Sequence, residues 1–231
     1  MKAVLLSGSY GKIEIPKEII DFFRENTNSF TISFIAADFD DYVLTDKLVK
    51  KLINAFEEKN VIIESYCIID NRINNEEMMD VINTNEIIFL LGGDTLKQIN
   101  SLNECNLIQK IKNSNKLVIG ISAGAINMAN KVILAKDEDD NIPELSIYDG
   151  IGITKINIEP HCDFYNNQHL KDLEEASFEG KLLLMNDNCF VIINEENETY
   201  YGDYCYLENG IYQFNNNIKT FEEFLKVIKN D

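Results

Sequence analysis

The chain contains a serine with glycines two residues to either side, in the segment Gly120-Ile121-Ser122-Ala123-Gly124. The apolar run before it, residues 116–121, is typical of a strand. A strand that turns sharply into a helix and exposes one hydroxyl needs small flanking residues, because side chains there would collide across the turn. The pattern predicts a nucleophile elbow with Ser122 as the nucleophile. A plain strand–turn–helix connection is the alternative, since this motif also arises by chance.

A serine hydroxyl becomes an effective nucleophile when a base takes its proton, and imidazole is the usual base near neutral pH. The chain has two histidines. His161 follows an alternating run and Pro160, which predicts a position at a strand end, where open α/β sheets keep their sites. His169 lies in a polar segment entering a predicted helix, and we interpret it as a solvated surface residue. His161 is therefore the candidate base, with a structural histidine as the alternative.

Attack by Ser122 would create an oxyanion that needs preorganised N–H donors. Loss of one such donor typically raises the activation barrier by about 3 kcal/mol. The amide of Ala123, directly after the nucleophile, is predicted to be one of these donors. A helix expected over residues 125–129 would point the positive end of its dipole at the same place.

Strands and helices alternate along the chain. Strands are predicted at residues 2–7, 30–37, 61–69, 86–91 and 116–121, and helices at 16–23, 46–59, 76–81 and 96–111. Continuous apolar runs are typical of a parallel sheet covered by helices on both faces. Short strands at 189–193, 199–201 and 211–214 predict a C-terminal antiparallel meander. Without repeats or linkers, residues 1–231 are expected to form a single α/β domain.

Four motifs together resemble the serine peptidase family of peptidase E (aspartyl dipeptidase) and cyanophycinase. They are Gly-Ile-Ser-Ala-Gly-Ala at 120–125, Gly92-Gly93-Asp94-Thr95 after an apolar run, the Pro160-His161 step, and Leu5-Leu6-Ser7-Gly8-Ser9. The similarity runs in register over most of the chain. The resemblance implies a flavodoxin-like α/β fold, a Ser–His–acid triad, and hydrolysis of a peptide bond near a free N-terminus in a small substrate.

Carried over residue by residue, the resemblance puts the nucleophile at Ser122, the base at His161 and the third triad member at Asp187, where the dipeptidases often have glutamate. Aspartate is shorter by one methylene but can still orient an imidazole. Carboxylates of the acidic loop at 137–140 remain alternatives for this role. The resemblance also places the second oxyanion donor in the turn of Gly92 and Gly93, with Gly93 donating and Gly92 beside the substrate.

A second glycine-rich turn, Gly8-Ser9-Tyr10-Gly11-Lys12, follows the first predicted strand. It lacks the spacing of a phosphate-binding loop and the Ser or Thr after its lysine. We interpret it as a turn near the substrate, with Ser9 as a candidate contact.

The composition limits the partners, cofactors and compartment that can be expected for this protein. A net charge of −18 argues against nucleic acid or an anionic membrane as a partner. The five cysteines form no Cys-x-x-Cys pair, which favours neither disulfides nor zinc, and we expect no metal and no cofactor. Cys162 should point away from the face that His161 serves and pack in the core. The cysteine pattern favours a reducing cytoplasm, and the apolar stretch at the N-terminus is too short for a secretory signal or membrane span. We expect the protein to be a monomer or homodimer.

The sequence thus favours a serine peptidase acting on dipeptides or other small peptides. An esterase with the same triad, or a non-enzymatic small-molecule binding or interaction protein on the same fold, are the alternatives. Residues 166–175, where the family's substrate-binding arginine is expected, contain Lys171 as their one cation, flanked by Asp172. Because arginine holds a carboxylate through a planar fork and lysine does not, no strict requirement for an N-terminal aspartate is expected.

Overall fold

The computed structural model describes residues 1–8, 13–137, 142–214 and 220–229. Strands and helices alternate through the first half of the chain, and short strands dominate the second half. In chain order the elements are β1 (Lys2–Leu6), α1 (Lys17–Asn26), β2 (Thr31–Ile35), α2 (Tyr42–Glu58), β3 (Ser65–Ile69), α3 (Asn75–Thr84), β4 (Ile87–Leu90), α4 (Thr95–Glu104), α5 (Leu107–Lys112), β5 (Leu117–Ile121), α6 (Ala123–Ile126), β6 (Lys131–Leu134), β7 (Ser146–Asp149), β8 (Asn157–Glu159), α7 (Asn167–Ala176), β9 (Leu182–Met185), β10 (Phe190–Asn194), β11 (Asn197–Tyr201), β12 (Tyr204–Glu208), β13 (Ile211–Phe214) and α8 (Phe221–Ile228). Among the helices of the described ranges, none is long and apolar enough to cross a membrane.

The central sheet has seven strands in the order β11-β10-β1-β5-β4-β2-β3. Strands β1, β5, β4, β2 and β3 are parallel to one another, whereas β10 and β11 join the β1 edge as antiparallel strands. The predicted flavodoxin-like α/β class, with a mostly parallel sheet and antiparallel strands toward the C-terminus, is confirmed. The carboxyl ends of β1, β5, β4 and β2 meet along one edge of the sheet, where the candidate site residues follow.

Side chains of the central strands alternate between two hydrophobic cores. In β1, Ala3 and Leu5 pack in one core, and Val4 and Leu6 pack in the other. Strands β4 and β5 divide their side chains between the same two cores. Because both sides of each strand are buried, the sequence of these strands is apolar throughout rather than alternating.

The C-terminal antiparallel strands are divided between two sheets, although the sequence predicts one meander. The β10–β11 hairpin pairs with β1, and Phe190 and Ile192 extend the core that contains Val4. Strands β12 and β13 instead join β9 and β8 in a four-stranded sheet, whose core includes residues of α7 and α8. Without β10, the buried strand β1 would have a row of backbone donors and acceptors without partners, so the hairpin completes the sheet.

Two of the differences between the predicted and the observed helix bounds have an identifiable local cause. Helix α2 begins at Tyr42 rather than at residue 46, because the Asp41 side chain caps it by accepting a hydrogen bond from the Leu44 amide. The single helix predicted over 96–111 is instead the pair α4 and α5, because Asn106 between them adopts a left-handed conformation with φ of 56°.

Candidate active site

Ser122 lies at a sharp turn between β5 and α6. Its backbone has φ of 50° and ψ of −118°, a conformation that costs energy for a residue with a side chain. The surrounding hydrogen bonds hold it there, since its amide donates to the Leu6 carbonyl at 2.9 Å. A Cβ on Gly120 would lie 2.5 Å from the Ala125 nitrogen, and one on Gly124 would lie 2.2 Å from the Leu90 oxygen. Both flanks therefore accept glycine alone, which is the steric requirement of an elbow.

Helix α6 is shorter than the sequence predicts. It spans Ala123–Ile126, a single turn, rather than extending over 125–129. A helix of one turn has a correspondingly small dipole. The first N–H groups of a helix have no intrahelical acceptor, and that of Ala123, directly after Ser122, is one of them.

His161 and Asp187 are in direct contact. His161 follows β8, and its Nδ1 lies 2.6 Å from Oδ1 of Asp187, which follows β9. The imidazole is 15% exposed and the carboxylate 35% exposed. Because strands β8 and β9 are parallel neighbours, their carboxyl ends bring the two residues together. An imidazole that donates from Nδ1 to such a carboxylate carries its lone pair on Nε2.

The backbone of His161 is held as well as its ring. Its amide donates to Oγ of Ser7 at 2.9 Å, and Ser7 is fully buried at the end of β1. The φ of His161 is 55°, a left-handed conformation that aims the ring toward β1. Ser7 belongs to one of the four motifs, but its role could not be predicted, because a contact between residues 154 positions apart has no local signal.

Gly8 lies between His161 and strand β5. A Cβ on Gly8 would be 3.4 Å from Nε2 of His161 and 3.2 Å from Cγ1 of Ile121, the residue before Ser122. Its φ of 98° also favours glycine. The Asn188 amide donates to the Gly8 carbonyl at 2.8 Å, which ties this turn to the neighbour of Asp187. The imidazole therefore lies on the β1 side of the elbow.

Gly92 and Gly93 lie on the opposite side of the elbow, after β4. A Cβ on Gly92 would be 3.3 Å from Cβ of Ser122. Gly93 has φ of 139°, and a Cβ there would lie 2.8 Å from Cβ of Ala37. Asp94 caps α4 by accepting a hydrogen bond from the Lys97 amide at 2.9 Å. The turn thus brings backbone groups without side chains next to the candidate nucleophile.

Two cavities flank this row of turns. The first, which we call the β1-side cavity, has a volume of about 220 Å³ and is lined by residues that include Leu6, Gly8, Ile15, Ile121 and Asn188. The second, the β4-side cavity, has a volume of about 190 Å³ and is lined by residues that include Ala37, Asp38, Leu91, Gly92, Gly93 and Lys97. Each is the size of one amino-acid side chain with its backbone.

Two of the sequence predictions fall partly or wholly outside the described residues. Ser9 lies there, as do residues 138–141 of the acidic loop. Asp137 is described, and its Oδ2 lies 3.6 Å from Nδ1 of His169. Asp187 is also described, and its carboxylate is in hydrogen-bond contact with His161.

The interpretation of His169 as a solvated surface residue is wrong. Its side chain is only 10% exposed, with Oε1 of Glu159 3.7 Å from Nε2 and Asp137 on the other ring nitrogen. Ligand atoms of these three residues lie within 4.8 Å of one another, so the group could hold a metal ion. The two carboxylates approach different ring nitrogens, so the imidazole lies between them. Polar neighbours in the sequence obscured this inward orientation.

Cys162 points away from the site, as predicted. It is buried in the core formed by the four-stranded sheet, α7 and α8, and burial raises the pKa of its thiol well above the usual range. Burial likewise raises the pKa of Cys189 to about 12. Neither thiol is ionised near neutral pH, so neither has the thiolate character of a catalytic cysteine.

Comparison with known proteins identifies the family and the fold of this chain. The sequence matches the model of peptidase family S51 over residues 3–200. No curated protein sequence is significantly similar to this chain. Among solved structures, a peptidase from an acI-B1 actinobacterium superposes with a TM-score of 0.68 at 14% identity, over 92% of each chain.

A second structure, of a candidate peptidase E protein from Listeria monocytogenes EGD-e, superposes with a TM-score of 0.60 at 19% identity. It covers 87% of this chain and 97% of its own. Identities this low establish a common fold alone, whereas the match to the family extends over nearly the whole chain, including the turns after β1, β4, β5, β8 and β9. The chain belongs to peptidase family S51, a family of serine peptidases.

Proposed function

We propose that this peptidase hydrolyses dipeptides or other small peptides near their free N-terminus through a triad of Ser122, His161 and Asp187. The contact of 2.6 Å between His161 Nδ1 and Asp187 Oδ1 is the observation that carries the proposal. A carboxylate in this position fixes the tautomer of an imidazole and stabilises the imidazolium that forms when it accepts a proton.

In the proposed mechanism, Nε2 of His161 takes the proton of the Ser122 hydroxyl as its oxygen attacks the scissile carbonyl carbon. The carbonyl oxygen becomes an oxyanion, which accepts hydrogen bonds from the amides of Ala123 and Gly93. The imidazolium then gives its proton to the leaving amine as the C–N bond breaks. Water, deprotonated by the same imidazole, then attacks the acyl carbon. As the ester bond to the Ser122 oxygen breaks, the imidazolium returns the proton to that oxygen and the acid product is released.

The strained backbone of Ser122 supports its assignment as the nucleophile. A left-handed φ at a residue with a side chain persists where surrounding structure imposes it, and such residues cluster at functional sites. Here the strain lifts the side chain out of the strand, and the residue is half-buried rather than enclosed. An ordinary strand–helix connection has no need of this conformation.

The two cavities support a small substrate. Volumes of about 220 and 190 Å³ on either side of the elbow suit one residue each, as a dipeptide requires. Gly92 lies against Ser122 and would contact the substrate backbone. The proposal includes no strict requirement for an N-terminal aspartate. All five cysteines are free thiols, which fits the reducing conditions of a cytoplasmic enzyme.

Labelling with a fluorophosphonate and hydrolysis of a dipeptide library test the proposal together. We expect one covalent adduct, at Ser122, and turnover of dipeptides. Ser101→Ala is the matched control, because Ser101 lies half-buried in α4 outside the site. Labelling with turnover of esters alone would favour an esterase, and absence of both labelling and turnover would favour a non-enzymatic binding protein.

A further inference from the structure

The β4-side cavity lies across Ser122 from His161. In the sheet order β1-β5-β4-β2, Gly8 beside the imidazole follows β1, Ser122 follows β5, and Gly92 follows β4. Ala37 and Asp38 follow β2, one strand further from the imidazole. The β1-side cavity, which Gly8 lines, is on the imidazole side, and the β4-side cavity is on the other.

This arrangement distinguishes the two halves of a substrate. The leaving amine must face the imidazole that protonates it, so the residue C-terminal to the scissile bond belongs on the β1 side. The carbonyl oxygen is directed to the amides of Gly93 and Ala123. The acyl half, which carries the N-terminal residue, then lies on the β4 side.

Acidic side chains outnumber cationic ones in the lining of the β4-side cavity. Among the described residues that line it, Lys97 is the one cation, and the acidic ones are Asp38, Asp41 and Asp94. Nζ of Lys97 donates to Oδ2 of Asp38 at 2.7 Å. The hydrogen bond from Lys97 holds the pKa of Asp38 below its usual value, and the hydrogen bond to Asp38 raises the pKa of Lys97. The ammonium is thus already matched to a carboxylate of the protein.

The other two carboxylates cap helices. Asp41 accepts from the Leu44 amide at the start of α2, and Asp94 accepts from the Lys97 amide at the start of α4. The three carboxylates and the one ammonium of the lining sum to a charge of about −2, and each helix N-terminus contributes about +0.5. The net charge around the cavity is therefore about −1. A substrate carboxylate would meet this negative potential and would have to displace Asp38 from Lys97.

We infer that the β4-side cavity receives the N-terminal residue of the substrate, and that the Asp38–Lys97 ion pair makes it select neutral or cationic residues over acidic ones. The inference rests on the proposed function, because it uses Ser122 and His161 to orient the substrate. Leu44, Leu48 and Leu91 supply an aliphatic part of the lining, which accommodates the stem of such a residue. Asp38 and Lys97 are specificity-determining residues, and neither takes part in the bond chemistry.

Two peptides of nearly equal shape, Asp-Leu and Asn-Leu, test the charge preference. We expect the wild-type enzyme to have a kcat/KM about tenfold higher on Asn-Leu, the effect of one charge across a partly exposed site. Lys-Leu should be used at least as well as norleucyl-Leu, which keeps the stem and lacks the ammonium. A tenfold preference for Asp-Leu over Asn-Leu would overturn the inference.

Variants of the ion pair test its cause. Asp38→Asn releases Lys97 without changing side-chain volume, and should raise the Asp-Leu to Asn-Leu ratio of kcat/KM about tenfold. Adding Lys97→Gln to that variant should return the ratio to the wild-type value. Glu86→Gln is the matched control, because Glu86 pairs with Lys116 near the opposite, amino-terminal edge of the sheet. A ratio that Asp38→Asn leaves unchanged would overturn the inference.

A measurement of peptide binding tests this inference separately from the proposed function. Calorimetric titration of the Ser122→Ala protein with Asn-Leu and Asp-Leu measures the subsite without turnover, and the same preference and the same reversal by Asp38→Asn are expected. Wild-type enzyme that hydrolyses no dipeptide, combined with this binding preference, would contradict the proposed function alone. Normal hydrolysis with no effect of Asp38→Asn would contradict the subsite alone, and absence of both hydrolysis and binding would contradict both.

Discussion

Nδ1 of His161 lies 2.6 Å from Oδ1 of Asp187, and the two residues follow parallel neighbouring strands. Each side chain comes from a different loop, so the pair depends on the register of β8 and β9 rather than on any local motif. The His161 backbone is fixed separately by the hydrogen bond from its amide to Ser7. Both the position and the orientation of the imidazole are therefore determined by the fold.

Replacing Asp187 by alanine should lower kcat by about 10³-fold or more, because the imidazole loses both its tautomeric preference and the charge that stabilises imidazolium. Steady-state kinetics on a dipeptide measure the effect. Asp139→Ala and Asp140→Ala, in the acidic loop, are the controls and should change kcat little. If either of those variants is impaired more than Asp187→Ala, the third triad member belongs to the acidic loop.

Gly93→Ala tests the second oxyanion donor. A Cβ at Gly93 would lie 2.8 Å from Cβ of Ala37 and would disfavour the φ of 139°, so the turn must shift and its amide with it. We expect kcat to fall by about 10²-fold or more.

Gly210→Ala is the control for Gly93→Ala. It also adds a side chain at a positive φ, here 73°, but Gly210 lies in the β12–β13 hairpin, and the added Cβ would be 3.7 Å from its nearest neighbour, Phe178. It should lower the free energy of unfolding without lowering kcat. Equal kcat values in the two variants would show that the Gly93 amide is not an oxyanion donor.

The buried thiols predict how stability depends on alkaline pH. Burial raises the pKa of Cys205 to about 12, above that of a thiol in the unfolded chain near 8.5. Between these values the unfolded chain loses a proton that the folded protein keeps, so the free energy of unfolding falls as pH rises from about 8.5 to 12. Urea denaturation at pH 8 and pH 10.5 measures this fall. Cys205→Ala should make it smaller, and an unchanged fall would contradict the assignment.

The sequence predicted best those features that depend on neighbouring residues. Glycines at 120 and 124 predict a tight turn around Ser122, because the steric conflict they avoid arises within a few residues. Continuous apolar runs likewise predict the buried parallel strands. Asp187 was indicated by resemblance to a family and not by spacing, since its contact with His161 joins residues 26 positions apart.

Features that depend on contacts between distant segments were either not predicted or predicted wrongly. The division of the C-terminal strands between two sheets follows from the exposed edge of β1, which no pattern within residues 189–214 reveals. His169 is enclosed by Asp137 and Glu159 from two other segments, whereas its own neighbours are polar. The Asp38–Lys97 ion pair joins the segment after β2 to helix α4, and its sequence separation of 59 residues hides it in the same way.

The kcat/KM of a purified Ser122→Ala protein on a dipeptide that the wild-type enzyme hydrolyses is the most direct test of the proposed catalytic role. We predict a loss of at least ~10³-fold, with circular dichroism and thermal unfolding unchanged, because the hydroxyl forms the covalent intermediate and removing it leaves the fold intact. Peptidase activity retained by a Ser122→Ala preparation free of wild-type enzyme would contradict the mechanism.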